Sequence, residues 1–282
     1  MNELKVEKKL SLKNDGKLEI IFIGVGSAFA QKLHNNNLII IKGDTHILVD
    51  FGLRGPDGLK SNTGLDNYEI ETILPTHSHS DHIGGLELLT LTNRYIGQTV
   101  FKKPKLKMII TDEYKNQLWE QSLRGGLACN EINEYDEFLG FDDYYDVITP
   151  EKVERNGRTK YKIDFADIHL EFFRTNHVPD VAKSSEQAFI SYGLFIDNKV
   201  LFSGDTKFDQ ELIEEYGNKS EIIFHDCSFF PNPVHASYEE LKALDSATKA
   251  KMLLMHYSDD YEKYDVSEFK GLAKEGIRYI FE

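Results

Sequence analysis

The sequence predicts an α/β fold in which two sheets pack face to face with helices outside. Three observations predict it. The first half is rich in short apolar runs joined by turn signals, which read as strands and hairpins. The second half alternates strand-like and helix-like segments. And 282 residues, 40% hydrophobic and 28% charged, can bury an ample core without staples. The expected organisation is a single domain over 1–282 with an insertion at about 95–167.

In chain order, Leu18–Gly24 (LEIIFIG) reads as a buried strand that ends in a Gly-Val-Gly-Ser turn. Strands follow at 37–41 and 46–49, joined around Gly43 and Asp44, and a short one at 71–74 stops at Pro75. Leucines at helical spacing predict a helix over 84–92, and 107–110 reads as a strand. Asp112 is expected to cap a helix that carries Trp119 and runs to about Leu123. Further strands are expected at 161–163, 168–173, 188–196, 199–202 and 222–224, with a helix at 209–216. The tail reads as helix 238–249, strand 252–255, helix 267–274 and strand 277–280. The acidic, tyrosine-rich run Asp142, Asp143, Tyr144, Tyr145, Asp146 is expected at the surface.

Charge and cysteine content limit the partners. A net charge of −14 argues against gripping a nucleic-acid polymer, which needs a lysine and arginine surface. Lys102, Lys103, Lys105 and Lys107 form the densest basic group and read as a solvated loop and strand edge. A small anionic substrate stays compatible with the charge, because bound metal ions can dominate the local field. Cys129 and Cys227 are too few for a disulfide framework, and no CxxC is present. The charged first residues lack an apolar signal region, and no apolar run approaches the ~18–20 residues of a bilayer span. The expectation is a cytoplasmic protein with no membrane partner, acting as a homodimer.

The strongest chemical signal is Thr76-His77-Ser78-His79-Ser80-Asp81-His82, between a strand and a helix. Imidazole nitrogen and carboxylate oxygen are the ligands of hydrolytic zinc sites. His77 and His79 alternate along an extended segment and can reach one metal. Asp81 and His82 lie where the chain turns into the helix and can reach a second. Downstream, His177, Asp205 (in Ser203-Gly204-Asp205-Thr206) and His256 each follow a strand, and Asp50 ends one. Together they offer five histidines and two aspartates besides Asp50, enough for two metals with room for water.

HxHxDH after a strand, then a histidine, Gly-Asp-Thr and a final histidine, resembles the metallo-β-lactamase superfamily over nearly the whole chain. The resemblance implies a four-layer αββα sandwich. It implies one metal on His77, His79 and His177, another on Asp81, His82 and His256, with Asp205 bridging and Asp50 supporting the loop by hydrogen bonds. The ions would be two zinc, with manganese as the alternative. Ser191-Tyr192-Gly193 and 223–237, with Asp226-Cys227-Ser228 and Pro233-Val234-His235, are similar to tRNase Z and its phosphodiesterase relatives. There the histidine matching His235 is thought to protonate the leaving oxygen. Asp226-Cys227-Ser228 departs from the glutamate, alanine and threonine more usual in that branch, and Cys227 reads as a small packed residue.

tRNase Z carries a long tRNA-gripping arm between the matching histidine and Gly-Asp-Thr. Here His177 to Asp205 spans 205 − 177 = 28 positions, already filled by two expected strands. An armless layout is similar to cyclic-nucleotide phosphodiesterases of the superfamily, including anti-Pycsar enzymes. The expected activity is therefore hydrolysis of a small phosphodiester, a 3′,5′-cyclic nucleotide, by a bridging hydroxide. Asp81 would orient or deprotonate the water, and His235 would protonate the leaving group. Tyr114, Trp119 and the turn from Arg124 to Leu127 are candidates for stacking and phosphate contact, with ordinary helix packing as the alternative for Trp119. RNA 3′-processing, hydrolysis of a thioester, lactone or sulfate ester, and a non-catalytic scaffold are the competing readings.

Overall fold

Leu18–Gly24 is buried at every position rather than at alternate ones, so both faces of its sheet are covered. The computed structural model describes residues 1–155, 158–177 and 190–282. Its strands are β1 (Asn2–Lys5), β2 (Leu18–Gly24), β3 (Asn37–Lys42), β4 (Thr45–Val49), β5 (Thr72–Leu74), β6 (Leu106–Ile109), β7 (Tyr145–Ile148) and β8 (Glu151–Arg155). They continue with β9 (Arg158–Phe165), β10 (Ile168–Arg174), β11 (Tyr192–Ile196), β12 (Val200–Phe202), β13 (Ile222–Asp226), β14 (Met252–Met255), β15 (Gly271–Leu272) and β16 (Ile277–Phe281).

Two eight-stranded sheets result, ordered β1-β16-β2-β3-β4-β5-β6-β7 and β15-β14-β13-β12-β11-β10-β9-β8. They meet through aromatic rings. Phe22 of β2 lies 4.9 Å from Phe224 of β13, which lies 5.2 Å from Tyr279 of β16. Each such buried ring contributes roughly 1.5–3 kcal/mol. The αββα sandwich expected from the sequence is the architecture found. In the second sheet β12, β13 and β14 run parallel, and two antiparallel pairings make β10 run the same way as β12. In the first sheet β4 and β5 are parallel. Carboxyl ends therefore gather at shared rims, where α/β sheets build their sites.

Several local expectations change. Segment 267–274 is not helical. Its backbone completes the sheet edge, with Lys270 N–H donating to Lys249 O and Ala273 N–H to Leu254 O, and Gly271–Leu272 pairs with β14. Tertiary pairing has overridden a weak helical period. The helix over 238–249 breaks into Tyr238–Lys242 and Ser246–Lys249, because Asp245 caps the second piece through the Ala247 and Thr248 N–H groups. Thr111, not Asp112, caps the helix Asp112–Leu118 by accepting from Tyr114 N–H. Of the strand expected at 188–196, residues 188 and 189 lie outside the described residues, and β11 begins at Tyr192. Tyr144 and Tyr145 are buried rather than superficial: Tyr145 pairs with Leu106 at the start of β7, and its hydroxyl bonds with Thr90. Within 95–167, strands β6 to β9 belong to the two sheets, and helical turns and a small bridge between Ile132 and Phe138 occupy the stretch between β6 and β7. Among the described residues no helix is long and apolar enough to cross a membrane.

Candidate metal centre

Short polar segments leaving strand ends build the site. β5 runs into Thr76-His77-Ser78-His79, and the turn Ser80–Ile83 presents Asp81 and His82. Across the rim, His177 follows β10, Asp205 follows β12, and His256 follows β14. A supporting residue and a candidate ligand sit in backbone conformations that side chains rarely adopt: Asp50 has φ 61° and His256 has φ 58°. Gly204, at φ 61°, turns the chain into Asp205, and a Cβ there would lie 2.4 Å from the Tyr192 carbonyl oxygen. At Gly52 a Cβ would meet the Asp81 carbonyl oxygen at 1.9 Å, so only glycine lets that loop pack under the turn.

The imidazoles converge in two groups, one of His77, His79 and His177 and the other of Asp81, His82, Asp205 and His256. In the first, His79 Nδ1 lies 3.0 Å from His77 Nε2 and 3.0 Å from His177 Nε2. Nitrogens on one tetrahedral zinc at about 2.0–2.1 Å would stand roughly 3.3 Å apart. In the second, Asp81 Oδ2 is 3.3 Å from His82 Nε2 and 3.1 Å from His256 Nε2. Asp205 Oδ2 stands between the groups, at 3.2 Å from His82 Nε2, 3.4 Å from His256 Nε2, 3.8 Å from His77 Nε2 and 4.0 Å from His177 Nε2.

Outer hydrogen bonds aim these donors inward. His82 Nδ1–H donates to Asp50 Oδ2 at 2.7 Å, and Asp50 is itself held by the Thr76 N–H at 2.6 Å and hydroxyl at 2.7 Å. His177 Nδ1–H donates to the Val234 carbonyl at 3.0 Å. Both rings thus turn Nε2 to the centre. Among the described residues, His82 Nε2 and Asp205 Oδ1 are buried without a hydrogen-bond partner. Burial lowers the His77 pKa well below its usual value, and burial followed by the His177 charge lowers His79 to about 4. Burial also opposes charge on His82 and His256, but Asp205 and its neighbouring carboxylates outweigh it and drive both well above the ordinary value. The centre calls for positive charge, and the donor set fits a cation.

Beside it, His235 Nδ1–H donates to Asp226 Oδ2 at 2.7 Å, and the His235 ring stacks on His256 at 4.7 Å. Asp226 also accepts the Thr206 N–H at 3.0 Å and faces His256 Nδ1 at 3.4 Å. Burial pulls His235 down, yet the Asp226 charge and hydrogen bond raise its pKa overall.

The family model described as Anti-Pycsar protein Apyc1 matches residues 18–279. The chain belongs to the anti-Pycsar Apyc1 family. It is similar to the Anti-Pycsar protein Apyc1 of Bacillus phage BSP38, 33% identical over 269 residues, covering 93% of this chain and 98% of that one. The Paenibacillus harenae protein of the same description is 32% identical over 250 residues, covering 88% and 92%. In fold, the chain is similar to the metallo-β-lactamase fold protein YhfI from Bacillus subtilis (TM-score 0.66, 15% identity, 94% and 100% covered). It is likewise similar to short-form human tRNase Z (TM-score 0.62, 16% identity, 93% and 98% covered). This anti-Pycsar family member is a metallo-β-lactamase fold, metal-dependent hydrolase, and its His and Asp clusters could bind the metal.

Every ligand candidate named from the sequence of this Apyc1 family member reaches the centre, and Asp50 supports it. Asp226 was noted only as a departure from the glutamate usual in the tRNase Z branch. Its place at the end of a strand, like Asp50, was the available signal. Cys227 is buried, and burial pushes its thiol well up, consistent with a packed residue. The aromatic candidates fall elsewhere. Tyr114 is buried under the histidine loop, where its hydroxyl accepts from Ser78 Oγ at 3.0 Å, so it offers no face to a base. Trp119 packs edge-on against Phe141 at 5.8 Å. Arg124 opens a helical turn, Arg124–Leu127, and pairs with Glu120 at 2.6 Å in solvent. Trp119 and Arg124 line a groove with Phe138 and Leu139 that shares no residue with the two ligand groups.

Proposed function

We propose that this chain is a binuclear zinc phosphodiesterase that opens a 3′,5′-cyclic nucleotide. The observation that carries the reading is Asp205 Oδ2, within 3.2–4.0 Å of imidazole nitrogens from both groups. His77, His79 and His177 would hold one ion, and Asp81, His82 and His256 the other, with Asp205 shared and manganese as the alternative metal. The anti-Pycsar description of its relatives supports the substrate class. When bound, the metal pair supplies an activated water and a polarised phosphoryl oxygen. Asp81 is assigned the water's proton as well as a ligand role. Asp226 fixes His235 through Nδ1, so Nε2 is the atom that protonates the leaving ribose oxygen. A ribose alkoxide leaves poorly without that proton.

The setting is proposed as cytoplasmic and the working form as a homodimer. Exposed Leu88, Tyr95, Ile96 and Val100 on the helical run after the histidine loop support an interface. The test is a panel of cAMP, cGMP, cCMP and cUMP, bis-p-nitrophenyl phosphate and a precursor tRNA with a 3′ trailer, assayed with zinc-loaded protein at physiological salt. Ring opening of cyclic nucleotides is expected. Trailer removal without ring opening would hand the case to RNA processing.

A further inference from the structure

We propose that Phe29 and Phe230 hold the base of the nucleotide in the pocket beside His235 and His256; this rests on the cyclic-nucleotide reading above. A small open pocket of about 70 Å³ adjoins the centre, lined by these four residues together with Ser228 and Asn232 among others. With the phosphate at the ligand groups and the leaving oxygen at His235, the sugar lies on the His235 side, where this pocket opens.

Phe29 is 94% exposed and Phe230 53%, so neither ring is used by the core. Both nonetheless stand on fixed backbone. The Phe29 turn is stapled by Asp259, whose carboxylate accepts the Gln31 N–H at 2.7 Å and the Lys32 N–H at 3.0 Å. Its other end is tied by the Ser27 N–H to the Tyr257 carbonyl at 3.0 Å, one residue past His256. Arg54 Nη1 donates to the Gln31 carbonyl at 2.7 Å. On the Phe230 segment, Ser228 Oγ donates to the Phe230 carbonyl at 2.7 Å, and Ser228 N–H donates to the Ala236 carbonyl at 2.8 Å, next to His235. An exposed aromatic ring on a rigid turn loses little entropy when a flat ligand stacks on it. The Val234 N–H donates to Asn232 Oδ1 at 3.0 Å, which fixes that amide and leaves its own N–H groups as donors for a base carbonyl. Every base has a π-face, so the clamp favours nucleotides over base-free esters without choosing one base.

The test compares Phe29→Ala and Phe230→Ala with the wild type. The substrates are cyclic nucleotides and the base-free 1-deoxyribose 3,5-cyclic phosphate. Loss of a stacking ring is expected to raise KM for cyclic nucleotides about 5- to 150-fold with little change in kcat. The base-free ester should be unaffected, and Phe29→Tyr should retain wild-type KM. Calorimetric binding of a slowly cleaved phosphorothioate analogue should weaken in parallel, with metal content and melting temperature unchanged. Unchanged KM in both variants, or an equal loss on the base-free ester, overturns the clamp. Failure of the wild type to open any cyclic nucleotide overturns the parent reading instead.

Discussion

Two clusters of buried charge, one on the second sheet and one at the rim shared by both sheets, are wired in opposite ways. On β9 of the second sheet, Lys160 is buried, pairs with Glu215, lies 3.5 Å from Glu171, and sits 4.9 Å over the Tyr216 ring. Lys162 reaches Glu171 at 3.0 Å, and the Tyr216 hydroxyl donates to the same carboxylate. No buried polar side-chain atom of this cluster lacks a partner. At the rim, among the described residues, Asp205 Oδ1 is buried without a hydrogen-bond partner, and His82 Nε2 and Asp226 Oδ1 make no hydrogen bond but face other members of the same cluster, at 3.2 Å from Asp205 Oδ2 and 3.4 Å from His256 Nδ1. Burial and charge are common to both. Incompleteness separates them, because an unpaired buried polar group is costly and persists only where something else completes it. The first cluster is scaffold, and the second has a donor set that could bind a cation.

Asp205→Asn tests the contrast hardest. Losing the shared carboxylate charge should reduce the metal content from near two equivalents to below one, and turnover with it. Elemental analysis of zinc-reconstituted protein reads this directly, and full loading of the variant would remove Asp205 from the shared position. His235→Ala should leave loading intact and slow cyclic-nucleotide opening by about 10²–10⁴-fold. It should affect bis-p-nitrophenyl phosphate far less, since nitrophenolate departs without a proton. Equal losses on the two substrates would point to binding rather than proton donation.

The scaffold cluster should respond in the reverse sense. Lys160→Met removes the buried cation from Glu215 and Glu171, of which Glu171 keeps Lys162 and the Tyr216 hydroxyl, and should cost about 1–3 kcal/mol in denaturant unfolding. Zinc content and KM of the folded fraction should match the wild type; a loss of metal would show that the clusters are coupled. The smallest effect concerns His46, in the first sheet. Burial, its largest influence, lowers its pKa to about 4, and Nε2 accepts the Glu71 N–H at 3.0 Å. A depressed pKa makes the folded state resist protonation, so its stabilisation is complete above pH ~6.5 and fades as pH falls toward 4. The loss between pH 6.5 and 5 is about 2 kcal/mol. His46→Gln keeps an acceptor for the Glu71 N–H and should flatten that part of the pH profile of the metal-free protein. An unchanged slope assigns the acid sensitivity to other groups.

The sequence by itself determined the αββα layers and the ligand candidates. Apolar runs such as Leu18–Gly24 leave few ways to be buried, and ligands that end strands must collect at the strand ends. The histidine loop was legible because its four ligand candidates are near neighbours in the chain. Asp226 was not read as part of the site, since its partners His235 and His256 come from a loop and the turn after another strand, 9 and 30 positions away (235 − 226 and 256 − 226). Only the tertiary structure decided that segment 267–274 pairs with β14 instead of coiling, because a free sheet edge offers its backbone hydrogen bonds that a weak helical period cannot match. It also decided which aromatics line the pocket beside His256. Trp119 and Tyr114 looked suitable in the sequence, but each is packed by a specific neighbour, Phe141 or the histidine loop. Phe29 went unremarked in a loop, and the Asp259 staple that carries it beside His256 joins residues 228 positions apart from Gln31, a distance no local pattern records.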